Sequence, residues 1–440
     1  MIKAQWLEHT IHFLLCALVF CLPFSFNLAA YCIIGLLLCW LLQGNFKQTF
    51  ANLRSRKALW PWFIFYLLHI ISYTYSENKG QSLFDIEQKL SLLIMPVIIG
   101  AGFTIERKIQ ERIFLIFTYS ITLVGIFCLT HSVVRCIQEG YIYTPFFFYH
   151  SLVDGLDPSA VYMALYAMLS LSALLFFPWT YYYTGKYKKL KTFMLIFQVI
   201  FFILLSSRLL ILLFILLLIP FYLRKTAKKG NTSIPNILAL SATFMAIVVV
   251  LFITNNPVKK RFNDIFDKKL NVAWKQDYST TPQADFNNIT LRLMLWRFGF
   301  DNLNEHHLWL IGAGNGDAVD LQNDQLARHG IDVYNPDPAK RSEFYNINLH
   351  NMWLQTLLML GIVGLVVFCL ITFTPLLYIS TLEYKHFYFI YHISILFFMF
   401  QEAAFQTQAG IVYYSFFTML FWNFYYANPH QRNKPTVVTY

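Results

Sequence analysis

Residues 192–223 read TFMLIFQVIFFILLSSRLLILLFILLLIPFYL, an apolar run interrupted near its middle by Ser206-Ser207-Arg208. A single helix of this length would rise about 48 Å, whereas the hydrocarbon core of a bilayer is roughly 30 Å thick. Two shorter helices that turn at Ser206-Ser207-Arg208 fit that thickness. The run therefore predicts two membrane crossings, with Arg208 in the turn between them.

Short loops rich in lysine and arginine set the orientation of the spans. Four such loops contain Lys47, Arg54, Arg56 and Lys57; Arg107, Lys108 and Arg112; Lys186, Lys188, Lys189 and Lys191; and Arg224, Lys225, Lys228 and Lys229. Positively charged loops of membrane proteins stay in the cytoplasm. An even number of crossings must then separate each of these loops from the next, so residues 8–43 also form two helices, which turn around Pro23 and Asn27.

The hydropathy pattern predicts about twelve transmembrane helices. Their approximate spans are 8–22, 28–43, 59–75, 89–103, 113–133, 160–177, 190–206, 208–223, 234–253, 350–372, 387–401 and 409–425. Residues 1–253 hold nine of these helices, residues 254–349 form one long hydrophilic loop, and residues 350–440 hold the last three helices and a cytoplasmic tail. Counting crossings places the long loop outside the cytoplasm. The sequence thus predicts an all-α polytopic membrane protein.

Composition agrees with a membrane protein and argues against other classes. Hydrophobic residues make up 57% of the chain and charged residues only 13%, whereas soluble domains are about 25% charged. The net charge of +11 is concentrated in short loops, with no basic stripe among exposed aromatics, so the expected partners are membrane lipids and not nucleic acid. The seven cysteines lie in or beside apolar segments and form no CxxC motif, which predicts neither a disulfide nor a thiolate metal site.

Ionisable residues at the outer ends of spans are candidates for function, because charge is costly there. Arg208 lies in an outward turn, against the positive-inside bias, and its guanidinium suits phosphate binding. Arg292 and Arg297 lie in an apolar helical run, 291–303, of the long loop. His350 immediately precedes the tenth span, where the helix dipole disfavours imidazolium and a neutral imidazole could act as a general base.

Other polar residues of the outer side give weaker signals. Glu402, at an outward span end, could orient an arginine or contact substrate. The glycine-rich stretch 312–317 is no dinucleotide fingerprint, because no predicted strand precedes it. Asp317, Asp320 and Asp324 lack the spacing of a calcium-binding loop. We therefore predict no metal site.

Three segments stand out by their order around the long outer loop. They are Leu205-Ser206-Ser207-Arg208; Arg292-Leu293-Met294-Leu295-Trp296 followed by Leu310-Ile311-Gly312-Ala313-Gly314-Asn315-Gly316-Asp317; and His350-Asn351-Met352-Trp353-Leu354-Gln355 leading to Leu360-Gly361-Ile362-Val363-Gly364. Together they resemble the O-antigen ligase family, membrane glycosyltransferases that share a domain with O-antigen polymerases. The resemblance covers roughly residues 190–375, and the N-terminal half is similar in topology only.

The resemblance implies a metal-independent, inverting glycosyltransferase with a GT-C-like fold and no cofactor. Such an enzyme would move a glycan from undecaprenyl diphosphate to a hydroxyl of lipid A-core, at the periplasmic face of a bacterial inner membrane. By matching motif, Arg208 and Arg292 would hold the diphosphate, and His350 would act as the catalytic base toward the acceptor. The remaining substrate-binding candidates are Arg297, Asp317 and Glu402.

Two alternative functions stay open at this point. A polymerase that joins repeat units on undecaprenyl diphosphate would use nearly the same chemistry with a lipid-linked acceptor. A transporter or flippase is disfavoured, because transporters tend to show paired repeats and charges within the membrane. Here the spans are nearly free of charge, the two halves differ, and the polar groups gather on one face.

Overall fold

The computed structural model describes residues 2–177, 179, 187–221, 259, 268–282, 286–381 and 384–427. Within these residues every regular element is helical, and none is a strand. The α-helices are α1 (Ile2–Cys21), α2 (Phe26–Gln43), α3 (Phe46–Ser55), α4 (Trp60–Tyr75), α5 (Lys79–Gln88), α6 (Ser91–Met95), α7 (Arg107–Glu139), α8 (Tyr149–Leu152), α9 (Ala160–Phe176), α10 (Lys188–Leu204), α11 (Arg208–Leu213), α12 (Asn288–Glu305), α13 (Asp317–Arg328), α14 (Met352–Phe373), α15 (Lys385–Phe398) and α16 (Gln408–Ala427). Turns of π-helix, Pro96–Gly102 and Phe214–Leu218, extend α6 and α11.

Helices occupy eleven of the twelve segments that the sequence predicts to cross the membrane. The ninth segment, 234–253, and the basic loop before it lie outside the described residues. Of the described helices, three are long and apolar enough to cross a membrane, namely Phe26–Gln43, Arg107–Glu139 and Met352–Leu377. The all-helical fold is therefore confirmed for the described residues, with three helices that are candidates to cross a membrane. The number of twelve crossings and their direction stay predictions.

The apolar run 192–223 breaks where the sequence predicts. Helix α10 ends at Leu204, and α11 begins at Arg208. Between them Ser206 has a φ of 53°, a left-handed conformation that few residues other than glycine adopt. Two helices thus replace the single long helix that hydropathy alone would allow, and Arg208 begins the second of them.

Helices α9 and α16 form the centre of the assembly, and nearly all of their side chains are buried. Helix α9 packs on α7, α10 and α15, and α16 packs on α6 and the π-helical turn that follows it. Aromatic rings fill the spaces between them. Trp62 stacks on Tyr414 with ring centroids 5.4 Å apart, and Tyr166 stacks on Tyr413 at 5.1 Å. Close packing of this kind makes a stiff scaffold, from which the turn between α15 and α16 emerges.

Helix α14 is kinked at Gly361, where φ is 62° and ψ is −163°. The kink releases two carbonyls and two N–H groups that a straight helix would pair internally, and the turn 309–314 binds all four. The N–H groups of Ala313 and Gly314 donate to the carbonyls of Leu358 and Met359 (2.8 and 2.9 Å), and those of Ile362 and Val363 donate to the carbonyls of Trp309 and Leu310 (2.8 and 3.3 Å). These four backbone groups of a candidate membrane span therefore remain paired, as a bilayer demands.

Both sides of this junction require glycine. A Cβ atom on Gly312 would meet the backbone of Met359 and Leu360, and one on Gly361 would meet the backbone of Leu310. Both glycines also have positive φ angles, 72° and 62°, which L-residues with a side chain adopt only at a cost. The glycine-rich motif 312–317 and the glycine of α14 are thus two halves of one backbone contact.

Candidate active site

Glu402 joins two of the predicted site residues, Arg292 and His350. Its Oε1 accepts a hydrogen bond from Arg292 Nη2 at 2.8 Å, and its Oε2 lies 3.0 Å from His350 Nδ1. The three residues come from separate parts of the chain: α12, the residue before the N-cap of α14, and the turn between α15 and α16. Their side chains are 19%, 12% and 27% exposed for Arg292, Glu402 and His350. They are shielded from bulk water yet still reachable from outside.

Arg292 is held in one orientation by three acceptors. Helix α12 begins after Asn287, whose side chain accepts two backbone N–H bonds as an N-cap, and Arg292 follows in the next turn. Its Nε donates to the carbonyl of Gln401 and its Nη1 to that of Asn288, both at 3.1 Å. With the bond to Glu402, these contacts fix the plane of the guanidinium, as tight recognition of an anion requires.

His350 occupies a strained position just before α14. Its φ is 46°, and strain of this kind in a non-glycine residue is typical of functional sites. The flanking residues hold it there: the Asn351 side chain caps α14, and the Leu349 carbonyl accepts a bond from Trp296 Nε1 at 3.0 Å. The His350 N–H donates to Asn348 Oδ1 at 2.8 Å. The imidazole is thereby fixed relative to Glu402.

Glu402 lies in the turn 399–407, which is fastened to the start of α14. The N–H of Met352 donates to the carbonyl of Met399 at 2.7 Å, and the N–H of Phe405 lies 3.1 Å from the Met352 sulfur. These contacts bring Glu402 to His350, although the two residues are 52 positions apart in sequence. These contacts thus fix the position of the turn that carries the Glu402 carboxylate.

The electrostatics of Glu402 favour its ionised form. Burial acts to raise the pKa of Glu402, but the hydrogen bond and charge of His350, together with the Arg292 guanidinium, outweigh burial and lower this pKa below its ordinary value. An ionised carboxylate only accepts hydrogen bonds, so His350 Nδ1 carries the hydrogen and donates it. In the neutral form of the imidazole, the other ring nitrogen, Nε2, is then the proton acceptor, as in a carboxylate–histidine pair of a hydrolase.

Arg292, His350 and Glu402 line a cavity of about 420 Å³. Other lining residues are Phe26, at the start of α2, and Tyr149, His150, Asp157, Ser159 and Tyr162, from the segment that joins α7 to α9 and from α9 itself. The volume lies within the usual range of small-ligand sites. A cation, a carboxylate and an oriented imidazole therefore converge on a space that suits the reacting end of a larger substrate.

Arg208 and Arg297 lie elsewhere in the structure. Arg208 begins α11 and is not among the described residues that line the cavity. Arg297 is five positions beyond Arg292, and its Nη1 donates to the carbonyl of Lys275 at 2.7 Å while its Nη2 lies 3.1 Å from His329 Nε2. It fastens the 3₁₀-helical segment Lys268–Trp274 to α12. The substrate contacts expected of both arginines stay predictions.

Asp317 lies at the first position of α13 and connects the glycine-rich motif to the end of α4. Its carboxylate oxygens accept the backbone N–H groups of Glu77 and Asn78, both at 2.8 Å. It is not among the described residues that line the cavity. These bonds give Asp317 a structural role, and the substrate contact expected of it stays a prediction.

Sequence analysis did not single out the cavity residues that precede α9. Tyr149 has a φ of 54°, a second strained position in the same cavity as His350. His150 and Asp157 follow it in the sequence. The signal that could have found them is an aromatic run, 141–149, that is followed by a histidine and is predicted to lie in an outward loop. That run is also typical of the aromatic belt at a membrane interface, so the sequence does not distinguish the two.

Comparison with known proteins gives a family match for the stretch that contains Arg292 and His350. Residues 193–369 match the family model described as O-antigen ligase. The match begins in α10, includes Arg208, Arg292 and His350, and ends in α14, whereas Glu402 lies beyond it. No curated protein matches the chain. The family that the sequence motifs resemble is therefore confirmed for this stretch.

Proposed function

Because residues 193–369 form an O-antigen ligase domain, we propose that this protein is a membrane glycosyltransferase that transfers a glycan from undecaprenyl diphosphate to a hydroxyl of lipid A-core. The family match establishes a function of the ligase or polymerase type in general terms. The donor, the acceptor and the mechanism belong to the proposal. The observation that carries it is Glu402 binding both Arg292 and His350 at one cavity.

In the proposed reaction His350 is the general base. Its Nε2 takes the proton of the attacking acceptor hydroxyl, while Nδ1–H stays on Glu402, which stabilises the imidazolium that forms. The acceptor oxygen bonds to the anomeric carbon as the bond from that carbon to the diphosphate breaks, with inversion at the carbon. The two substrates supply every atom of the products, and the proton remains on His350 until it is released.

Arg292 has the complementary task on the leaving group. Negative charge builds on the diphosphate oxygens as the glycosidic bond breaks, and a fixed guanidinium stabilises it. Electrostatic stabilisation of this kind is commonly worth about 3–4 kcal/mol for each donor. We propose Arg208 as the second cation, because it begins a helix at a strained turn between two apolar helices and lies within the matched domain. The two guanidiniums supply the positive charge in this mechanism, which needs no metal ion.

The proposed topology has twelve crossings, cytoplasmic chain ends and a periplasmic segment 254–349 in a bacterial inner membrane. The three span-capable helices and the basic loops support it. The cavity supports it as well, because Phe26, Tyr149, His350 and Glu402 all come from segments that the charge rule places on the outer side. At that level a polyprenyl carrier would present its diphosphate.

A polymerase is the second candidate, because the family that the sequence motifs resemble shares a domain with O-antigen polymerases. The same base and cations would act on an acceptor that is itself linked to undecaprenyl diphosphate. Deletion of the protein distinguishes the two functions. Long glycan chains that remain unattached to lipid A-core indicate a ligase, whereas single repeat units indicate a polymerase.

Complementation of the deletion strain tests the proposed site. We expect Arg208→Ala, Arg292→Ala and His350→Ala to leave lipid-linked glycan unligated while membrane levels of the protein stay normal. His306→Ala is a matched control, because His306 is an exposed histidine at the end of α12 and does not line the cavity. Normal ligation by all three site variants would contradict the proposal. Transport of lipid-linked glycan in proteoliposomes without bond formation would indicate a flippase instead.

A further inference from the structure

The cavity has a second group of lining residues that the proposed chemistry does not use. We infer that Tyr149, His150 and Asp157 form a carbohydrate-binding subsite, which holds a sugar ring beside the reacting bond. This inference rests on the proposed function, since it assigns a part of that same cavity. All three residues precede residue 193, so they lie outside the matched family domain.

The side chains of this subsite have the chemistry that sugars require. The rings of Tyr149 and His150 lie 3.9 Å apart between centroids, with 53° between their planes, and together they present aromatic surface at the cavity. An aromatic ring with a polar edge can cover the C–H face of a pyranose and hydrogen-bond its hydroxyls. Asp157 adds an exposed carboxylate, which only accepts hydrogen bonds and therefore suits hydroxyl donors.

One oxygen of Asp157 is used within the protein. Oδ2 accepts the backbone N–H of Phe26 at 2.7 Å, which fastens the start of α2 to the segment before α9. Among the described residues no hydrogen bond reaches Oδ1. The carboxylate is thus anchored through one oxygen and can present the other to a ligand. A purely structural role would require only the anchored oxygen.

Charge separates this subsite from the diphosphate site. Arg292 lines the cavity as a cation, whereas Asp157 lines it as an anion. The Glu402 carboxylate is paired with the Arg292 guanidinium, whereas no salt bridge to Asp157 is found among the described residues. Asp157 therefore repels a diphosphate but accepts hydrogen bonds from uncharged hydroxyls. The diphosphate therefore belongs beside Arg292, and a hydroxyl-rich ring belongs beside Asp157.

The segment that carries the subsite is held in place before any ligand binds. Arg135 Nη1 lies 3.1 Å from the carbonyl of Ser151 and 3.1 Å from Asp154 Oδ2. The same guanidinium covers the Phe146 ring at 3.8 Å. Tyr149 itself is held in a left-handed backbone conformation. A site built on such fixed side chains loses little entropy when it binds a sugar.

Binding measurements on the purified full-length chain in proteoliposomes test this inference. The probes are undecaprenyl-diphosphate-linked glycan and unligated lipid A-core, each extracted from the deletion strain and titrated alone. We expect Tyr149→Ala to raise the Kd of one probe about tenfold or more, because the ring that covers the sugar is lost. Asp157→Asn should do the same, because an N–H donor replaces the oxygen that accepts a sugar hydroxyl. Asp157→Asn keeps a side-chain oxygen for the Phe26 N–H, and Tyr149→Phe should bind like the wild type because the ring remains.

The affected probe identifies the source of the ring. A weaker Kd for the lipid-linked glycan places the first donor sugar in the subsite, and a weaker Kd for lipid A-core places the acceptor sugar there. Tyr141→Ala is the control, because Tyr141 is exposed in the same segment but does not line the cavity. Unchanged Kd values for both probes in Tyr149→Ala and Asp157→Asn would overturn the inference. Failure of the proposed function is a separate outcome, seen as undiminished transfer by His350→Ala whatever the Kd values are.

Discussion

Two polar clusters, each built partly from the matched stretch 193–369, use similar residues in opposite ways. At the cavity, His350 keeps 27% of its side chain exposed and pairs with Glu402. In the glycine-rich motif, Asn315 is 1% exposed and pairs through its side chain with His69, also 1% exposed, while its N–H lies 3.3 Å from Ser72 Oγ. The first cluster directs its polar atoms at a cavity, and the second directs them at its own neighbours.

The comparison shows what a polar motif in a membrane protein does and does not signify. Buried polar groups must find partners, so the bonds of Asn315 and Asp317 and the glycine contact with α14 account for the motif 312–317 without a ligand. At the cavity, the strained backbone of His350 and the immobilised side chain of Arg292 each cost free energy. Packing alone does not explain these costs. We therefore assign catalysis to the cavity and architecture to the glycine-rich motif.

A matched pair of arginines on one helix should separate the two clusters with a large effect. Arg292→Ala should lower the transfer rate about 100- to 1,000-fold, because it removes a donor that stabilises the leaving group. Arg297→Ala should instead lower the free energy of unfolding by about 1.5–3 kcal/mol, because it removes hydrogen bonds to a charged group. Initial rates and thermal unfolding of the purified variants measure both. Equal rate losses in the two variants would contradict a catalytic role for Arg292 and a structural role for Arg297.

Gly312→Ala tests the architectural cluster. The added Cβ would collide with the α14 backbone at a positive φ, so we expect a loss of at least about 3 kcal/mol in the free energy of unfolding, and less folded protein in the membrane. Gly140→Ala is the control, because Gly140 has a φ of 77° with no atom within 4 Å of a Cβ and should lose only about 1–2 kcal/mol. Denaturation midpoints of the two variants measure these losses. Equal losses in the free energy of unfolding would show that the contact between Gly312 and α14 does not contribute to stability.

A smaller effect, roughly 10- to 100-fold in rate, is expected of Glu402→Gln, because the amide orients the imidazole less well and cannot balance its charge.

The pKa of Glu402 is lowered in the folded protein. Its contribution to stability is therefore complete above the ordinary carboxyl pKa and is lost as pH falls through the lowered value. Melting temperatures across the acid range should show this loss in the wild type and a weaker one in Glu402→Gln. Parallel curves would mean that the carboxylate is not stabilised by its partners.

The sequence predicts that Arg292, His350 and Glu402 belong to the functional site. Each is an ionisable residue in or at the end of an apolar segment on the outer side, where charge is costly. It does not predict that Glu402 joins the other two, because 110 and 52 positions separate it from them. The family resemblance favours Arg292 over Arg297, but the residue pattern by itself does not separate them. Five positions on a helix place two side chains about 140° apart around its axis, but an apolar run on all sides does not show which face meets the cavity.

The junction with α14 illustrates a second limit of sequence patterns. Residues 254–349 are predicted to lie outside the membrane, yet the turn 309–314 pairs with the backbone of α14 around Gly361, within a candidate span. Hydropathy measures the polarity of side chains, whereas this contact is made by backbone N–H and C=O groups that the kink at Gly361 leaves without partners inside the helix. The glycines of the motif were visible in the sequence, but their partner was not.

The most direct test of the central claim is the initial transfer rate of purified His350→Ala in proteoliposomes that contain lipid-linked glycan and lipid A-core. We expect a fall of about 100- to 10,000-fold, the range of a lost general base, with a melting temperature like that of the wild type. A rate within a few-fold of the wild type, in equally folded protein, would contradict the assignment of His350 as the base.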